Sequence, residues 1–499
     1  MESGLAARNG GRAGLLALAG ILLLGLGLRV GYAWDGRAPV YDAQAYAAIA
    51  ANLERGEGFT VGAGATQPSS NYSPGLPLAV AAVYEVTGGV HERAARVALA
   101  VVAWLAVGFA YLIGRRLGAG LGRPLARPPR AGVVGDRRGG RQTGGAEDGG
   151  GAVRGPAVVA GLIAALAVAI YPAFLEYGGM LMSEPLAATL LSGAVLGLLW
   201  ARDGESVWRW LVPGLALGAL AMVRPEYLAV AVLLAVVVLV TEWRSTSSRL
   251  HLPTHSDGKG NLGGWGRGVA CGGLVLAGLL VVMGPWTVRN AVALDRFVPI
   301  STGGGQVLYA GTYLPSDGDP EKVGAKVVAE NPELFSPADA QNLRLEQILA
   351  RLAAHAYPEL ESDEALAKMG REQLWDDVSE EPLEYAGFVA TKVWRIWSHG
   401  PRDVMQEPVW EALHWALVGL GLLGFVVLAW RRRWEALVLA TVFLSITAVS
   451  ALLVASPRRV LVMLPLVAAC AGFGATWLWA QAEGRAWRRP ARAGAAQPS

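Results

Sequence analysis

Apolar runs with no more than one charge recur ten times along this chain, each of roughly 13 to 22 residues, and about 20 such residues in a helix cross a hydrocarbon core about 30 Å thick. The runs are Leu15–Ala33, Ala94–Gly114, Ala157–Tyr171, Pro185–Ala201, Leu211–Val223, Leu228–Thr241, Val269–Trp286, Val409–Trp430, Ala436–Ala455 and Val460–Ala480. Of the 499 residues 53% are hydrophobic and 17% charged, whereas about 25% charged is ordinary for a soluble protein. The expected fold is therefore all-α and polytopic, with about ten spans. The first run follows Arg8 and Arg12 and has no small-residue cleavage site behind it, so it is expected to remain as a span. Cys271 and Cys470 sit inside apolar runs without metal-ligand or disulfide spacing. His251, His255 and His414 also lack ligand spacing.

The stretch Leu211–Thr241 needs a decision. As one helix it would be about 46 Å long, too long for an untilted span, and Arg224-Pro225-Glu226 interrupts its middle. Reading it as two spans puts the connections 1–13, 115–155, 202–209, 243–267, 431–434 and 482–499 on one side, where they hold 24 of the 43 Lys and Arg. Another 11 bases lie in residues 288–409, a segment too long for the positive-inside rule to count, which leaves 8 elsewhere. Both termini are expected on the cytoplasmic side. Trp34, Trp200, Trp243, Trp286, Trp410, Trp430 and Trp479 fall near run ends, at headgroup depth.

The chain then divides into six parts. Residues 14–114 hold the first span, an outer loop and the second span; the loop contains a short apolar helix, Pro74–Val86, expected to be re-entrant or interfacial. Residues 115–155, rich in Arg and Gly and poor in bulky apolar residues, are expected to be a disordered cytoplasmic linker. Helices three to seven occupy 156–287. Residues 288–409 carry 20 acids against 11 bases, with helical periodicity over Pro337–Ala354 and Ala365–Val378, and form a small acidic extracytoplasmic domain. Its last helix, Pro382–Trp397, is expected on the membrane surface. The last three spans fill 410–481, and 482–499 is a basic tail.

The residue pattern excludes several function classes. No Walker A or dinucleotide fingerprint occurs, since Gly303-Gly304-Gly305 satisfies neither, so ATP-driven transport is not expected. No basic, aromatic-rich soluble face suggests a nucleic-acid partner. Ionisable residues avoid the middles of the spans, unlike those of a proton relay or secondary transporter. They gather at the outer ends instead: Asp42, Arg93, Glu184, Arg224, Glu226 and Arg289. A site at that depth suits a lipid headgroup or surface acceptor. Each residue also has a plain structural reading. Asp42 can cap the helix Ala43–Arg55, Glu184 can complement a helix dipole, Arg224 and Glu226 can pair across Pro225, and Trp286 with Arg289 can anchor a span. A lipid or polysaccharide transporter and a non-catalytic scaffold are the alternatives to an enzyme.

Taken in order, the motifs resemble the GT-C glycosyltransferases, in particular the bacterial relatives of protein O-mannosyltransferase and lipid A aminoarabinose transferase. They begin with Arg29 ending the first span, Tyr41-Asp42-Ala43-x-x-Tyr46, Ile49-Ala50-x-Asn52-Leu53 and Gly56-x-Gly58-Phe59-Thr60. Tyr72-Ser73-Pro74-Gly75-Leu76-Pro77-Leu78 and Met182-Ser183-Glu184-Pro185-Leu186 follow. Last come Gly218-x5-Arg224-Pro225-Glu226 and Pro285-Trp286-x-x-Arg289-Asn290, leading to Val298-Pro299-Ile300-Ser301-Thr302. The resemblance implies a GT-C-like helix bundle in the cytoplasmic membrane. It implies transfer of a hexosyl or pentosyl unit from a polyprenyl-phosphate carrier to a protein, lipid or glycan acceptor on the outer face. By the same resemblance Asp42 and Glu184 are catalytic carboxylates and candidate ligands of a divalent cation. Arg224 and Arg289 would face the carrier phosphate, and Tyr41, Tyr46, Tyr72 and Glu226 the sugar or acceptor.

Overall fold

The computed structural model describes residues 2–36, 42–62, 67–121, 154–247 and 264–487. Tyr41, His251, His255, residues 122–153 of the linker and the tail beyond 487 lie outside them. Every regular element among the described residues is helical. The first half holds α1 (Glu2–Trp34), α2 (Asp42–Glu54), α3 (Gly75–Thr87), α4 (Glu92–Gly118), α5 (Arg154–Ile170), α6 (Pro172–Gly178), α7 (Ser183–Asp203), α8 (Leu211–Val223), α9 (Tyr227–Ser247) and α10 (Gly264–Leu294). Then come α11 (Gly304–Thr312), α12 (Val323–Glu330), α13 (Asp339–Asn342), α14 (Leu345–Ala356), α15 (Ser362–Glu380) and α16 (Pro382–Ser398). Helices α17 (Pro408–Trp430), α18 (Trp434–Leu452) and α19 (Arg458–Trp487) close the chain.

All ten apolar runs become helices, and the chain is a multi-pass membrane protein. Among the described residues eight helices are long and apolar enough to cross a membrane, and α5 with α6 makes a ninth as a pair bent by 55°. The tenth run, with its preceding turn, is a shorter apolar helix over Val207–Val223. The break at Arg224-Pro225-Glu226 is real: Arg224 is extended (φ −145°, ψ 103°), because a residue before proline is driven out of the α region. The two ends of the bundle's burial range are instructive. In α19 the most apolar stretch is 89% buried against α4, α5, α7 and α17, whereas that of α1 is 11% buried. The last helix is the hub, and the first lies on the rim.

Proline chemistry sets the bend between α5 and α6. Pro172 has no N–H, so the carbonyl of Val168 cannot receive its helical bond, and the carbonyls of the last turn of α5 need other donors. Arg29, fully buried in α1, supplies them: Nη2 donates to Val168 O at 2.9 Å and Nη1 to Ala169 O at 3.2 Å. Its guanidinium also lies 5.1 Å over the Phe174 ring. Arg29 thus fixes the direction in which α6 presents Glu176 and Tyr177.

Helices α11, α12, α14 and α15 have a core of their own, in which Tyr309, Tyr313, Val323, Val327, Phe335, Ile348, Leu349, Leu352 and Leu366 pack together. Helix α10 runs on to Leu294, so the first residues of the 288–409 segment belong to that helix. Pro337–Ala354, expected as one helix, is two. The helix restarts after Arg344, which is extended and whose N–H is capped by the Gln347 side chain at 2.9 Å. At the opposite end of the bundle from the start of α7, Arg116 bonds Asp203 and lies 3.5 Å from Glu435, tying α4, α7 and α18 together.

Candidate active site

Four chain segments deliver charge to one end of the bundle. Helix α2 begins at Asp42, in the first turn, where the helix dipole favours a carboxylate. Helix α7 begins at Ser183 and Glu184, with Pro185 suited to its first turn. The Pro225 break holds Arg224 and Glu226, and the start of α19 brings Arg458 and Arg459. Gly75 allows this convergence at the start of α3, because a Cβ there would stand 2.7 Å from Val223 N and 2.8 Å from Met222 C.

The contacts form two ion-paired sets joined by the adjacent Arg458 and Arg459. Arg224 Nη1 lies 3.1 Å from Glu184 Oε1, and its Nε donates to Glu226 Oε1 at 2.9 Å. Ser183 Oγ accepts from the same Nη1 at 3.4 Å. Arg459 Nε stands 4.0 Å from Glu226 Oε1, while its Nη1 bonds the Val454 carbonyl at 2.5 Å. Arg458 Nη1 donates to Asp42 Oδ2 at 3.5 Å, and the Arg458 guanidinium carbon lies 5.9 Å over the Tyr177 ring. Exposure grades across the two sets: the Glu184 side chain is 2% exposed, Arg224 16%, Arg458 36% and Asp42 48%. Asp42 and Arg458 therefore form the wet edge of a site whose interior is Glu184, Arg224 and Glu226. Glu184 Oε2 is buried and has no hydrogen-bond partner among the described residues.

The electrostatics follow from that arrangement. Burial works against both charges of the Arg224–Glu226 pair, yet each holds the other ionised. Glu226 is kept below the usual carboxylate range by Arg224 and Arg459, and Arg224 is held well above its ordinary value by Glu226 and Glu184. The Tyr46 phenol is pushed up by burial and then by Asp42, with Glu184, Arg224 and Glu226 also in electrostatic range. It stays neutral. Its ring meets Tyr72 edge-on at 5.7 Å, and the Tyr72 hydroxyl donates to Glu346 of α14 at 3.4 Å. Burial, then Glu346 and Asp42, push Tyr72 up to about 12.

The structure therefore gathers Asp42, Glu184, Arg224, Glu226 and Tyr46, with Tyr72 against Tyr46; Tyr41 lies outside the described residues. Arg289 has a different set of partners. Its Nη1 donates to Ser69 O and to Asn290 Oδ1, each at 3.0 Å, and its guanidinium stacks over Trp286 at 4.8 Å. Asn290 Nδ2 donates to Val298 O and Ile300 O at 3.0 Å, and Trp286 Nε1 to Ile300 O at 2.8 Å. Thr302 N then bonds Ser70 O at 2.8 Å. The Pro285–Asn290 motif is thus a buckle fastening residues 298–302 to the loop between α2 and α3. Asn52 works the same way within that loop, donating to Thr60 Oγ1 at 2.8 Å and Gly62 O at 2.9 Å, while Gly56 and Gly58 take positive φ of 75° and 77°.

Sequence reasoning missed Arg458, Arg459 and Tyr177. A signal existed for the arginines. They are two of the eight bases on the side that the positive-inside rule depletes, and they follow Ser456-Pro457, a helix-start pattern. Tyr177 offered none, because only the Pro172 bend brings it to Arg458. His414, set aside from the sequence, uses both ring nitrogens structurally, on Tyr171 Oη at 2.9 Å and Trp397 O at 3.0 Å.

No family model matches the chain, and no curated protein matches it. Among solved structures it is similar to the oligosaccharyltransferase AglB of Archaeoglobus fulgidus, in complex with an inhibitory peptide and a dolichol-phosphate, at 14% identity and a TM-score of 0.49 over 97% of this chain and 52% of that one. The apo form of the same enzyme gives 14% identity and a TM-score of 0.49 over 97% and 53%. ArnT from Cupriavidus metallidurans, bound to undecaprenyl phosphate, is matched at 15% identity and a TM-score of 0.38, over 93% of this chain and 78% of that one. This chain spans about half the length of the oligosaccharyltransferase chains it matches.

Proposed function

We propose that the protein is a membrane glycosyltransferase that moves a sugar from a polyprenyl-phosphate carrier to an acceptor hydroxyl on the outer face of the cytoplasmic membrane. The observation that carries the reading is the convergence of Asp42, Glu184, Arg224 and Arg458 from four separate segments at one end of the bundle. The motif order in the sequence supplies the donor class. In the reaction the acceptor oxygen attacks the anomeric carbon while the bond from that carbon to the phosphate oxygen breaks. Asp42, half-exposed, takes the acceptor proton. The leaving carrier phosphate develops negative charge, which a guanidinium at the same edge stabilises.

Among the arginines, Arg458 suits the phosphate best. Among the described residues it has a single carboxylate partner, at 3.5 Å, and is the more exposed, whereas Arg224 is held between two carboxylates and Arg289 is bonded to loop carbonyls. Glu184, Glu226 and Tyr46 line the interior toward the sugar. No nucleotide is required, because the sugar arrives activated on lipid.

The test is accumulation of donor. Cells lacking the protein should accumulate a sugar-bearing polyprenyl phosphate, identified by mass spectrometry of lipid extracts, and lose one surface glycan. The parental gene should clear the lipid and Asp42→Asn should not. Clearance by Asp42→Asn at the parental rate would sink the assignment.

A further inference from the structure

The carboxylates gathered here are of the kind that holds a divalent cation, but the donor set falls short of what such an ion requires. A divalent cation takes several oxygen ligands converging at about 2.0–2.6 Å, usually with a surplus of negative charge. Among the described residues no three Asp, Glu, His or Cys side chains converge in that way. The negative charge is already matched: Asp42, Glu184 and Glu226 stand against Arg458, Arg224 and Arg459. Glu184 and Glu226 are bridged by one guanidinium, with Oε1 of each directed at it, 3.1 and 2.9 Å from Arg224 nitrogens. That bridging position, between two buried or half-buried carboxylates, is where an ion would have to sit. The residues do not fit a metal.

We propose that Arg224 stands in for a divalent cation: it is a resident, covalently attached counter-charge that positions Glu184 and Glu226, and the site takes up no metal ion. Arg224 is thus a positioning residue, acting through the two carboxylates, while Arg458 at the wet edge meets the substrate. The arrangement has a consequence for Glu184 Oε2, which has no partner among the described residues. With Oε1 held on Arg224, the second oxygen is left free to accept a hydrogen bond from a hydroxyl of the sugar, while Asp42 takes the acceptor's proton. The inference rests on the glycosyl-transfer reading only for its activity arm.

The binding arm uses the purified full chain in detergent and Mn²⁺ alone, followed by the electron paramagnetic resonance signal of the free ion. The parental protein should show no saturable binding below millimolar Mn²⁺. Arg224→Gln removes the counter-charge and should create one saturable site, lost again when Glu184→Gln is added. In the activity arm, clearance of the lipid-linked donor by parental membranes should be insensitive to EDTA. Arg224→Lys, which keeps a positive charge, should retain more turnover than Arg224→Gln. Mn²⁺ binding by the parental protein that Glu184→Gln or Asp42→Asn abolishes would overturn the proposal, as would donor clearance lost to EDTA and restored by added metal. A folded Arg224→Gln protein that gains no Mn²⁺ site would overturn it too. Should Arg224→Gln fail to fold, the parental titration and Arg224→Lys still decide. If no variant or parental membrane transfers sugar at all, the function fails while the Mn²⁺ arm stands by itself.

Discussion

Arg224 and Arg289 lie in two proline-containing motifs near the ends of apolar helices, Arg224 directly before Pro225 and Arg289 four residues after Pro285, yet they are built for different work. Arg224 faces side-chain carboxylates, Glu184 and Glu226, in a buried setting. Arg289 faces mainly backbone, the carbonyl of Ser69 and that of Phe59 at 3.5 Å. A guanidinium on backbone carbonyls fixes the chain path, because carbonyls neither titrate nor move independently of their loop. A guanidinium on carboxylates balances charge, and its removal leaves an ion stranded. The partner's chemistry separates the two roles, and position at a helix end does not.

The largest expected effect tests the charged region. Asp42→Asn keeps the side chain's shape and its capping capacity while removing the base, so turnover should fall by roughly 10²–10⁴. Thermal unfolding should barely move, since the lost Arg458 contact is long and half-exposed. Parental turnover from Asp42→Asn would reduce the carboxylate to a helix-start residue and erase half of the contrast.

Next comes Arg224→Gln. Breaking one side of a buried ion pair costs about 3–5 kcal/mol, because the partner charge remains without compensation. Glu184, 2% exposed, is that partner. A fall in melting temperature is expected, relieved in part by Glu184→Gln in the same chain. Additive losses from the two changes would show that Arg224 and Glu184 do not act as a pair.

Lys392 extends the comparison to a third cation, one of the backbone-bonded kind. It is buried in α16, its Nζ donating to Gly311 O at 2.6 Å with Phe388 and Arg459 nearby. Burial, with help from Arg459, lowers it from 10.5 to about 8. Between those values the unfolded chain holds a proton that the folded chain has released, so stability should rise with pH across this window. The gain is at most roughly 3 kcal/mol, complete near the unfolded value. Melting in detergent from pH 7.5 to 10, buffered stepwise, should show the rise in the parental chain and lose it in Lys392→Met. A rise unchanged in Lys392→Met would assign it to other groups.

How much of this was legible follows the same division. Apolar runs gave ten helices, and the Arg224-Pro225-Glu226 break fell where proline sterics require it. Asp42, Glu184, Arg224 and Glu226 were visible as charges at run ends, and the structure does bring them together. Partner choice was not visible. Nothing local tells Arg224 from Arg289, since the Ser69 carbonyl and the Glu184 carboxylate are both distant in sequence. Arg29 is the plainest case. It reads as a charge ending a span, but it is buried and serves the carbonyls that Pro172 leaves unbonded.

The smallest expected effect is at Arg289, and it decides whether the buckle is only a buckle. Arg289→Lys keeps a positive charge at the same depth, but an ammonium cannot span Ser69 O, Asn290 Oδ1 and Phe59 O together as the planar fork does. Losing one or two bonds to backbone should cost about 1 kcal/mol, since Asn290 and Trp286 still hold residues 298–300. Hydrogen exchange over residues 59–70 should accelerate modestly, and turnover should fall by no more than about tenfold. The resemblance to lipid-linked sugar transferases implies instead that Arg289 meets the carrier phosphate. That role predicts a different pair of results: exchange in the loop unchanged, and turnover lost by about a hundredfold or more. Loop exchange and turnover measured on one variant therefore separate a chain-path arginine from a substrate arginine, with Arg458→Lys as the counterpart expected to lose turnover without loosening any loop.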